Sequence, residues 1–450
     1  MSNHDSTMTP PCEPAPSTRT AAKLPEGYTF TELNPSRLRD IWDVDQWAFP
    51  GTQHIEDLMQ IPWAPPWERM LGVTPPNARN DELAGMSGSF TLDQFPVPGG
   101  TLACGGLTWV GVHPGHRRRG LLNAMIDWHF TDGIKRGEPL QALFAAEEAI
   151  YQRFGYGRGS DSVSITPGRG AELRDVPGSK DHTVRLMDFD LDTHGELVEG
   201  LIRTAGDDIG GAEGINRPGW ISRDTPEFRA GHWYDSPTFH RRSGYELIRR
   251  LALVEKDGVP RGFATFRRKG DWGDAGPNGT LRINEAVALD AAASHALWTV
   301  LLDLDLIANI EATVVPDDPI LNLLVDRRAI KPSLGDALWV RILDVPGALS
   351  GRVYQADVDV VIGVTDDRVN ANEGNWRLRA TAMGEVTCER TDAAADFRLD
   401  IRTLAGVFMS HTSLAAAAAG GQVEVSNPAA LAQAAVAFGW PVPPGTVVDF

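Results

Sequence analysis

The sequence predicts an α/β (α+β) fold built from more than one domain. A chain of 450 residues is too long for one ordinary hydrophobic core, so two to four domains are expected. The strand pattern of residues 107–112, an apolar helix pattern from Leu121 and the buried strand pattern of residues 140–145 follow one another closely. Strand, helix and strand at this spacing predict a parallel βαβ unit.

The segment before this unit predicts further elements of the same domain. Alternation over Tyr28–Leu33 predicts a strand, and apolar residues at helical spacing predict a helix over 36–48. The stretch Gln60–Pro76 holds five prolines, which favour a loop over a helix. Strands are predicted at 83–92 and 101–112.

Two further regions mix strands with helices. For the region of about 180–340, the predicted elements are strands at 182–189, 246–254 and 261–268 and helices near 194–205 and 290–308. For the region of about 341–450, they are strands near 356–365 and 375–391 and helices at 402–410, 412–419 and 428–438.

The charge balance limits the classes of partner. Acidic residues outnumber basic ones, and the formal net charge is −18. Binding to nucleic acid or to an anionic membrane needs a basic surface, so neither is expected as a partner. The negative charge favours cationic partners, and solubility alone is the alternative explanation.

The cysteines and the N-terminal segment bound the environment of the protein. Cys12, Cys104 and Cys388 are widely spaced, so neither a disulfide framework nor a metal-binding pair is predicted. Residues 1–24 are rich in Pro, Ser and Thr and predict a disordered tail. No apolar signal segment or membrane span is visible, so a cytoplasmic location is expected, with export by another route as the alternative.

The segment Val110–Leu122 carries the clearest chemical pattern. A strand meets the turn His113-Pro-Gly-His116, then three arginines and Gly120 precede an apolar helix. The first N–H groups of a helix lack intrahelical partners and attract anions, and glycine lets a phosphate approach the backbone. The pattern favours a pyrophosphate site with Arg118 adding charge. The alternative is a basic surface turn before an amphipathic helix.

The segment Arg117–Leu122 resembles the coenzyme A motif of the Gcn5-related N-acetyltransferase (GNAT) superfamily, Arg/Gln-x-x-Gly-x-Gly/Ala. Leu122 departs from the motif, which has a small residue there. The longer run Trp109–Leu122 and the run Ile150-Tyr-Gln-Arg-Phe-Gly-Tyr-Gly157 are similar to those of the enhanced-intracellular-survival acetyltransferases of actinobacteria. The final Asp449-Phe450 is also similar to that family's end.

The resemblance implies an architecture of two tandem GNAT-like domains with mixed sheets flanked by helices, followed by an α+β domain similar to sterol carrier proteins. The expected boundaries are 25–178 for the acetyl-coenzyme A-binding domain, 179–340 for a GNAT-like domain without the coenzyme motif, and 341–450 for the last domain. The resemblance further implies a homo-hexamer. Acetyl-coenzyme A is the implied cosubstrate, and no metal is expected.

The resemblance also implies roles for individual residues. Tyr151 is the expected general acid, the carboxylate of Phe450 the expected general base, and Asp449 an expected contact for a second cationic group of the substrate. The expected cofactor-binding residues are Val110, Gly111, Val112, Arg118, Arg119, Gly120, Leu121, Leu122, Asn123, Ala146 and Glu147.

The residue types suit these roles, although each has a simpler alternative. A phenol with an unperturbed pKa of about 10 can donate a proton to a leaving thiolate, but Tyr151 alone would be interpreted as a half-buried aromatic. A terminal carboxylate is a weak base unless desolvation raises its pKa. Most chain ends fray, and Asp449 would then be a solvated residue, yet the apolar, proline-containing segment 440–450 favours docking.

Two classes of function therefore compete. The first is an N-acetyltransferase acting on a small-molecule or peptide amine, either an aminoglycoside-like polyamine or a lysine side chain. The second is a non-catalytic carrier whose C-terminal domain holds an apolar ligand. Arg118, Gly120 and Tyr151 favour the enzyme, whereas copurifying lipid without release of thiol from acetyl-coenzyme A would favour the carrier.

Overall fold

The computed structural model describes residues 23–49, 54–62, 65–79, 82–234 and 243–450. The tail predicted over residues 1–24 lies outside them except for its last two residues. The first region supplies these elements: β1 Thr29–Glu32, α1 Leu38–Ala48, α2 Ile55–Leu58, β2 Leu71–Thr74, β3 Gly85–Val97, β4 Gly100–Val112, α3 Leu121–Arg136, β5 Leu140–Phe144, α4 Glu148–Gln152 and β6 Gly157–Arg158.

These elements confirm the predicted βαβ unit, since β4 and β5 pair in parallel with α3 between them. The loop predicted over Gln60–Pro76 is wrong in part, because β2 lies inside it and pairs with both β1 and β3. The five prolines of that stretch flank residues 71–74 and leave their backbone N–H groups free for the sheet.

The second region supplies β7 Asp161–Ile165, β8 Thr183–Asp188, α5 Leu191–Gly206, α6 Pro226–Trp233, β9 Arg250–Lys256, β10 Val259–Lys269, β11 Trp272–Gly273, β12 Gly276–Pro277, β13 Gly279–Ala288, α7 Ala291–Leu302, β14 Ile307–Val314, α8 Pro319–Leu323 and β15 Ser333–Asp336. Strand β16 Leu338–Ile342 lies at the boundary with the third region, which supplies α9 Val345–Ser350, β17 Val358–Thr365, β18 Gly374–Ala380, β19 Val386–Arg390, β20 Phe397–Asp400, α10 Ile401–Phe408, α11 Leu414–Ala419, β21 Val423–Val425 and α12 Pro428–Ala437.

Three main sheets result, and two of them share the chain in an unexpected way. Their strand orders are β1-β2-β3-β4-β5-β16-β6, β15-β7-β14-β13-β10-β9-β8 and β19-β18-β17-β20-β21. Strand β16 enters the first sheet between β5 and β6, and β7, which lies within the predicted range 25–178, pairs with β14 and β15 of the second sheet. The predicted ranges 25–178 and 179–340 therefore do not coincide with the sheets, since pairing partners distant in sequence are not visible in local patterns.

The third domain is joined to the first by buried contacts as well as by chain connection. One continuous apolar cluster includes Ala142 of β5, Phe263 of β10 and Phe397 of β20. The guanidinium of Arg341, on β16, donates to both carboxylate oxygens of Asp366 at 2.7 and 2.6 Å, and both side chains are almost fully buried. A buried charge without its partner is strongly destabilising.

We expect Asp366→Asn to lower the free energy of unfolding by about 3–5 kcal/mol, because it leaves Arg341 buried without a countercharge. Denaturant titration measures this change. Asp359→Asn is the matched control, since its pair with Arg377 lies at the surface, and it should leave the midpoint nearly unchanged. Equal midpoints for the two variants would contradict the prediction.

Candidate active site

The site is organised around a gap between β4 and β5. These strands pair only at Cys104–Gly106 with Leu140–Ala142, and they separate beyond Gly106. The end of β4 also bulges against β3, where Trp109 has a positive φ of 53°. Val110, Gly111 and Val112 follow, and no described strand pairs with the β5-facing edge of this segment. Their backbone groups are therefore available to an extended ligand that carries amides.

The turn between β4 and α3 leaves the start of the helix open. Arg118 and Gly120 have positive φ angles of 61° and 85°. Gly120 is the N-cap of α3, and no side chain accepts a hydrogen bond from the first turn. No atom lies within 4 Å of the position that a Cβ on Gly120 would take. No side chain caps the N–H groups of residues 121–123, so these groups are available to bind an anion.

The neighbouring side chains support this turn in different ways. Within the described part of the chain, the exposed guanidinium of Arg118 forms no hydrogen bond or ion pair and can approach an anion. Arg119 instead donates to the hydroxyl of Tyr28 at 3.1 Å and to the carbonyl of Gly115 at 3.3 Å. The side-chain oxygen of Asn123 accepts from Arg368 of the third domain at 3.2 Å.

Tyr151 lies at the same gap, on the face of the sheet that packs against α3. Ala146 and Glu147 are exposed where β5 ends, and α4 then carries Tyr151. The half-buried ring of Tyr151 packs against a cluster that contains Leu107 of β4 and Leu143 of β5. Burial raises the pKa of Tyr151 to about 12, so the phenol keeps its proton at neutral pH.

The chain end occupies the opposite face of the gap. The ring of Phe450 meets Phe144 with ring centres 5.1 Å apart and Phe90 with ring centres 6.4 Å apart. A Cβ on Gly106 would lie 3.0 Å from the Phe450 ring, closer than most Cβ contacts, so glycine favours this approach. Neighbouring residues of a strand face opposite sides of the sheet. Gly106 and Phe144 contact Phe450, whereas their neighbours Leu107 and Leu143 belong to the cluster that packs against Tyr151. Phe450 and Tyr151 therefore lie on opposite faces.

Asp449 reaches a buried ionic network of the second domain. Its exposed carboxylate lies 3.8 Å from Nδ1 of His232, whose Nε2 is 2.9 Å from Glu285. Burial would raise the pKa of Glu285, but Arg223 and His232 outweigh it and lower that pKa to about 2. Sequence reasoning missed His232, Glu285 and Gly106, because nothing in their local sequence indicates contact with the chain end.

Comparisons with known proteins agree with this architecture. Residues 30–159 and 219–342 each match acetyltransferase (GNAT) domains, and residues 345–446 match the sterol carrier protein domain. An uncharacterised N-acetyltransferase of Streptomyces avermitilis is 35% identical over 84% of this chain and 88% of its own length. The N-acetyltransferase Eis of Mycobacterium bovis is 30% identical over 82% of this chain and 86% of its own. The chain belongs to the Eis-type GNAT N-acetyltransferases.

A solved structure extends the match to the whole Eis-type architecture. The crystal structure of Eis1 from Mycobacterium abscessus is 25% identical, covers 94% of this chain and 100% of its own, and has a TM-score of 0.74. The expected fold of two GNAT domains followed by a sterol-carrier-like domain is confirmed, and the protein is an acetyl-transferring enzyme.

The second GNAT domain of this Eis-type chain lacks an open helix start. Only Leu289 and Asp290 separate β13 from α7. The carboxylate of Asp290 accepts from the N–H of Ala293 at 2.8 Å and so caps the helix itself. An anionic phosphate would meet this carboxylate, whereas no side chain caps the open helix start of the first domain. The absence of the coenzyme motif from the second domain thus corresponds to a helix start that is already occupied by a carboxylate.

Two further observations concern metal ligands and membrane-spanning helices. Among the described residues, no three His, Cys, Asp or Glu side chains are grouped as metal ligands would be. The same residues contain no helix long and apolar enough to span a bilayer. The free cysteines Cys104 and Cys388 are buried, and Cys12 lies outside the described residues.

GNAT domains use acetyl-coenzyme A, and we expect it to stabilise this protein by about 2.7 kcal/mol at 100 times its dissociation constant. Gly120→Glu should abolish this thermal shift, because it adds a negative charge at the anion site. Gly137→Glu is the matched control, since Gly137 has φ of 75° and equally open surroundings at the other end of α3. Both variants carry backbone strain of about 1–2 kcal/mol, and a shift lost in both would contradict the assignment of the site.

Proposed function

We propose that the protein transfers acetyl from acetyl-coenzyme A to an amine of a cationic acceptor by direct attack. In this proposal Tyr151 is the general acid and the terminal carboxylate of Phe450 is the general base. One observation carries it. The open helix start and the phenol of Tyr151 lie on one face of the gap between β4 and β5, and the chain end lies on the other face. Donor and acceptor would thus meet from opposite sides of one sheet.

The residues of the first domain fit the coenzyme. When bound, acetyl-coenzyme A supplies an acetyl thioester. The free edge of Val110–Val112 would hold the amides of its pantetheine arm, while Ala146 and Glu147 border the other side of the gap. The N–H groups of Leu121–Asn123 would bind its pyrophosphate, with Arg118 adding charge. Arg119 would act by bracing the turn through Tyr28.

Tyr151 fits the role of a proton donor to the departing sulfur. Since burial raises its pKa to about 12, it is protonated throughout the neutral range and loses its proton only at strongly alkaline pH. A thiol has an unperturbed pKa of about 8.5. An adjacent phenol helps the thiolate to leave by donating a proton or a hydrogen bond to it.

The chain end fits the role of a proton acceptor. An attacking amine must lose its proton, and the contacts of the Phe450 ring with Gly106 and Phe144 would hold the terminal carboxylate near the gap. Asp449 would attract a second ammonium group of the acceptor, which makes an aminoglycoside-like polyamine or a lysine-rich segment a suitable substrate. The net charge of −18 adds long-range attraction for such cations.

A carrier function is less well supported by the third domain. Its interior is filled by large side chains such as Tyr354, Phe397 and Phe408, all fully buried. The guanidinium of Arg352 lies among them and donates to the carbonyls of Phe408 and Phe438 at 2.5 and 3.0 Å.

We further propose, from the family resemblance, that the active assembly is a homo-hexamer.

Tyr151→Phe should lower kcat by roughly 10²–10⁴ while leaving the acetyl-coenzyme A thermal shift intact, because only the proton donor is removed. The measurement is acetyl-coenzyme A turnover against a panel of aminoglycosides, polyamines and lysine peptides, with products identified by mass spectrometry. An unchanged kcat would make Tyr151 a packing residue. The absence of any acetylated product with the unsubstituted protein would contradict the proposed function itself.

A C-terminal extension should abolish activity, because it converts the carboxylate of Phe450 into a neutral amide. Deleting Phe450 retracts the carboxylate by up to about 3.8 Å, more than a proton transfer over about 2.6–3.2 Å tolerates. Gly106→Ala should lower kcat by displacing the ring that a Cβ would approach to 3.0 Å. An N-terminally tagged protein is the control. Equal kcat in all four would place the base elsewhere, and Glu147 and Glu148 would be tested next.

A further inference from the structure

The second GNAT domain contains a cavity where the first domain has its coenzyme gap. Strands β13 and β14 pair in parallel as far as Arg282 and Glu311 and then separate, as β4 and β5 do. A cavity of about 320 Å³ lies between the ends of these strands, the start of α7 and the segment after α5. We call it the second-domain cleft. Its residues include Asp207, Asp208, Arg217, Trp220, Leu289, Asp290, Ser294, Leu297, Trp298, Val315, Asp317 and Asp318.

Carboxylates dominate the charge of the second-domain cleft. Arg217 donates to both oxygens of Asp317, at 2.6 and 3.1 Å, and is thereby neutralised. Asp207, Asp208 and Asp318 form no ion pair with any residue in the described parts of the chain. Burial raises the pKa of Asp318 to about 6, and burial together with Asp208 raises that of Asp207. Arg217 is the cation of the cleft lining and is paired with Asp317, so the cleft carries an excess of negative charge.

A second, independent feature points to a ligand. Ser294 lies on α7 with only 2% of its surface exposed, and it lines the second-domain cleft. Its hydroxyl forms no hydrogen bond with another described residue and is open to the second-domain cleft, so it can bond to a ligand there. The walls around it are apolar, since Trp220, Leu297 and Trp298 are almost fully buried. A ligand that fits would combine cationic donors with an aliphatic body.

We propose that the second-domain cleft binds a protonated aliphatic diamine. Its ammonium groups would pair with Asp318 and with Asp207 or Asp208, the hydroxyl of Ser294 would accept a further hydrogen bond, and its methylene chain would lie along the tryptophans. The proposal does not depend on the catalytic roles given above to Tyr151 and Phe450. It assigns the second domain a ligand opposite in charge to the one held by the first.

The experiment is a calorimetric titration of the full-length protein with 1,4-diaminobutane, without acetyl-coenzyme A so that no transfer occurs. We expect saturable binding, with the dissociation constant raised about tenfold or more by Asp318→Asn. The amide oxygen that this substitution introduces would still accept from the N–H of Ile320, as the carboxylate does, so α8 keeps its cap. Asp303→Asn, at an exposed position of the same domain, is the matched control and should bind as the unsubstituted protein does.

Two comparisons decide where the diamine binds. Ser294→Leu fills the cleft without changing its charge and should also weaken binding, which guards against a folding defect peculiar to Asp318→Asn. Asp449→Asn should leave binding intact, because Asp449 lies outside the cleft. Loss of binding in Asp449→Asn with retention in Asp318→Asn would assign the diamine to the acceptor site and overturn the proposal. So would the absence of binding, or equal weakening by Asp303→Asn.

Discussion

Three residue pairs hold β4 against β5, and this pairing ends at Gly106. The candidate active site depends on the separation of the two strands beyond that residue. If the strands continued together, the backbone edge of Val110–Val112 would be satisfied by β5, and no ligand could use it. The bulge at Trp109 separates the strands, and β5 is kept in the sheet by β16 on its other edge. An amide-bearing ligand would complete the unpaired edge with hydrogen bonds.

The exchange of β7 and β16 makes the two GNAT domains interdependent. Strand β16 also brings Arg341 to Asp366, so the same strand anchors the third domain. Arg368 of the third domain adds a contact at Asn123, beside the open helix start. The last residue of the chain can therefore reach the first sheet with a defined position. Under the proposed mechanism, all three domains must fold before the base is in place.

Under the two proposals, the same strand and helix arrangement serves ligands of opposite charge in the two GNAT domains. Both place a helix start beside two parting parallel strands. In the first domain the connection is long, has Gly120 at its end and leaves the N–H groups free. In the second it is two residues long, and Asp290 occupies the helix start. With that start capped by a carboxylate and further aspartates nearby, the second-domain cleft repels phosphates and favours cations.

Local patterns predicted the parts of the site that depend on neighbouring residues. The turn at Arg118 and Gly120, the helix after it and the strands around it could be predicted because strand, turn and helix preferences act over a few positions. The strand exchange and the contact of Phe450 with Gly106 could not be predicted from local patterns, since each joins residues far apart in sequence. Tyr151 and Phe450 entered the site only through family resemblance, because an isolated tyrosine or chain end has no local signal. What the structure adds is the placement of these two residues on opposite faces of one gap, so the proposed acid and the proposed base would approach the thioester and the amine from different sides.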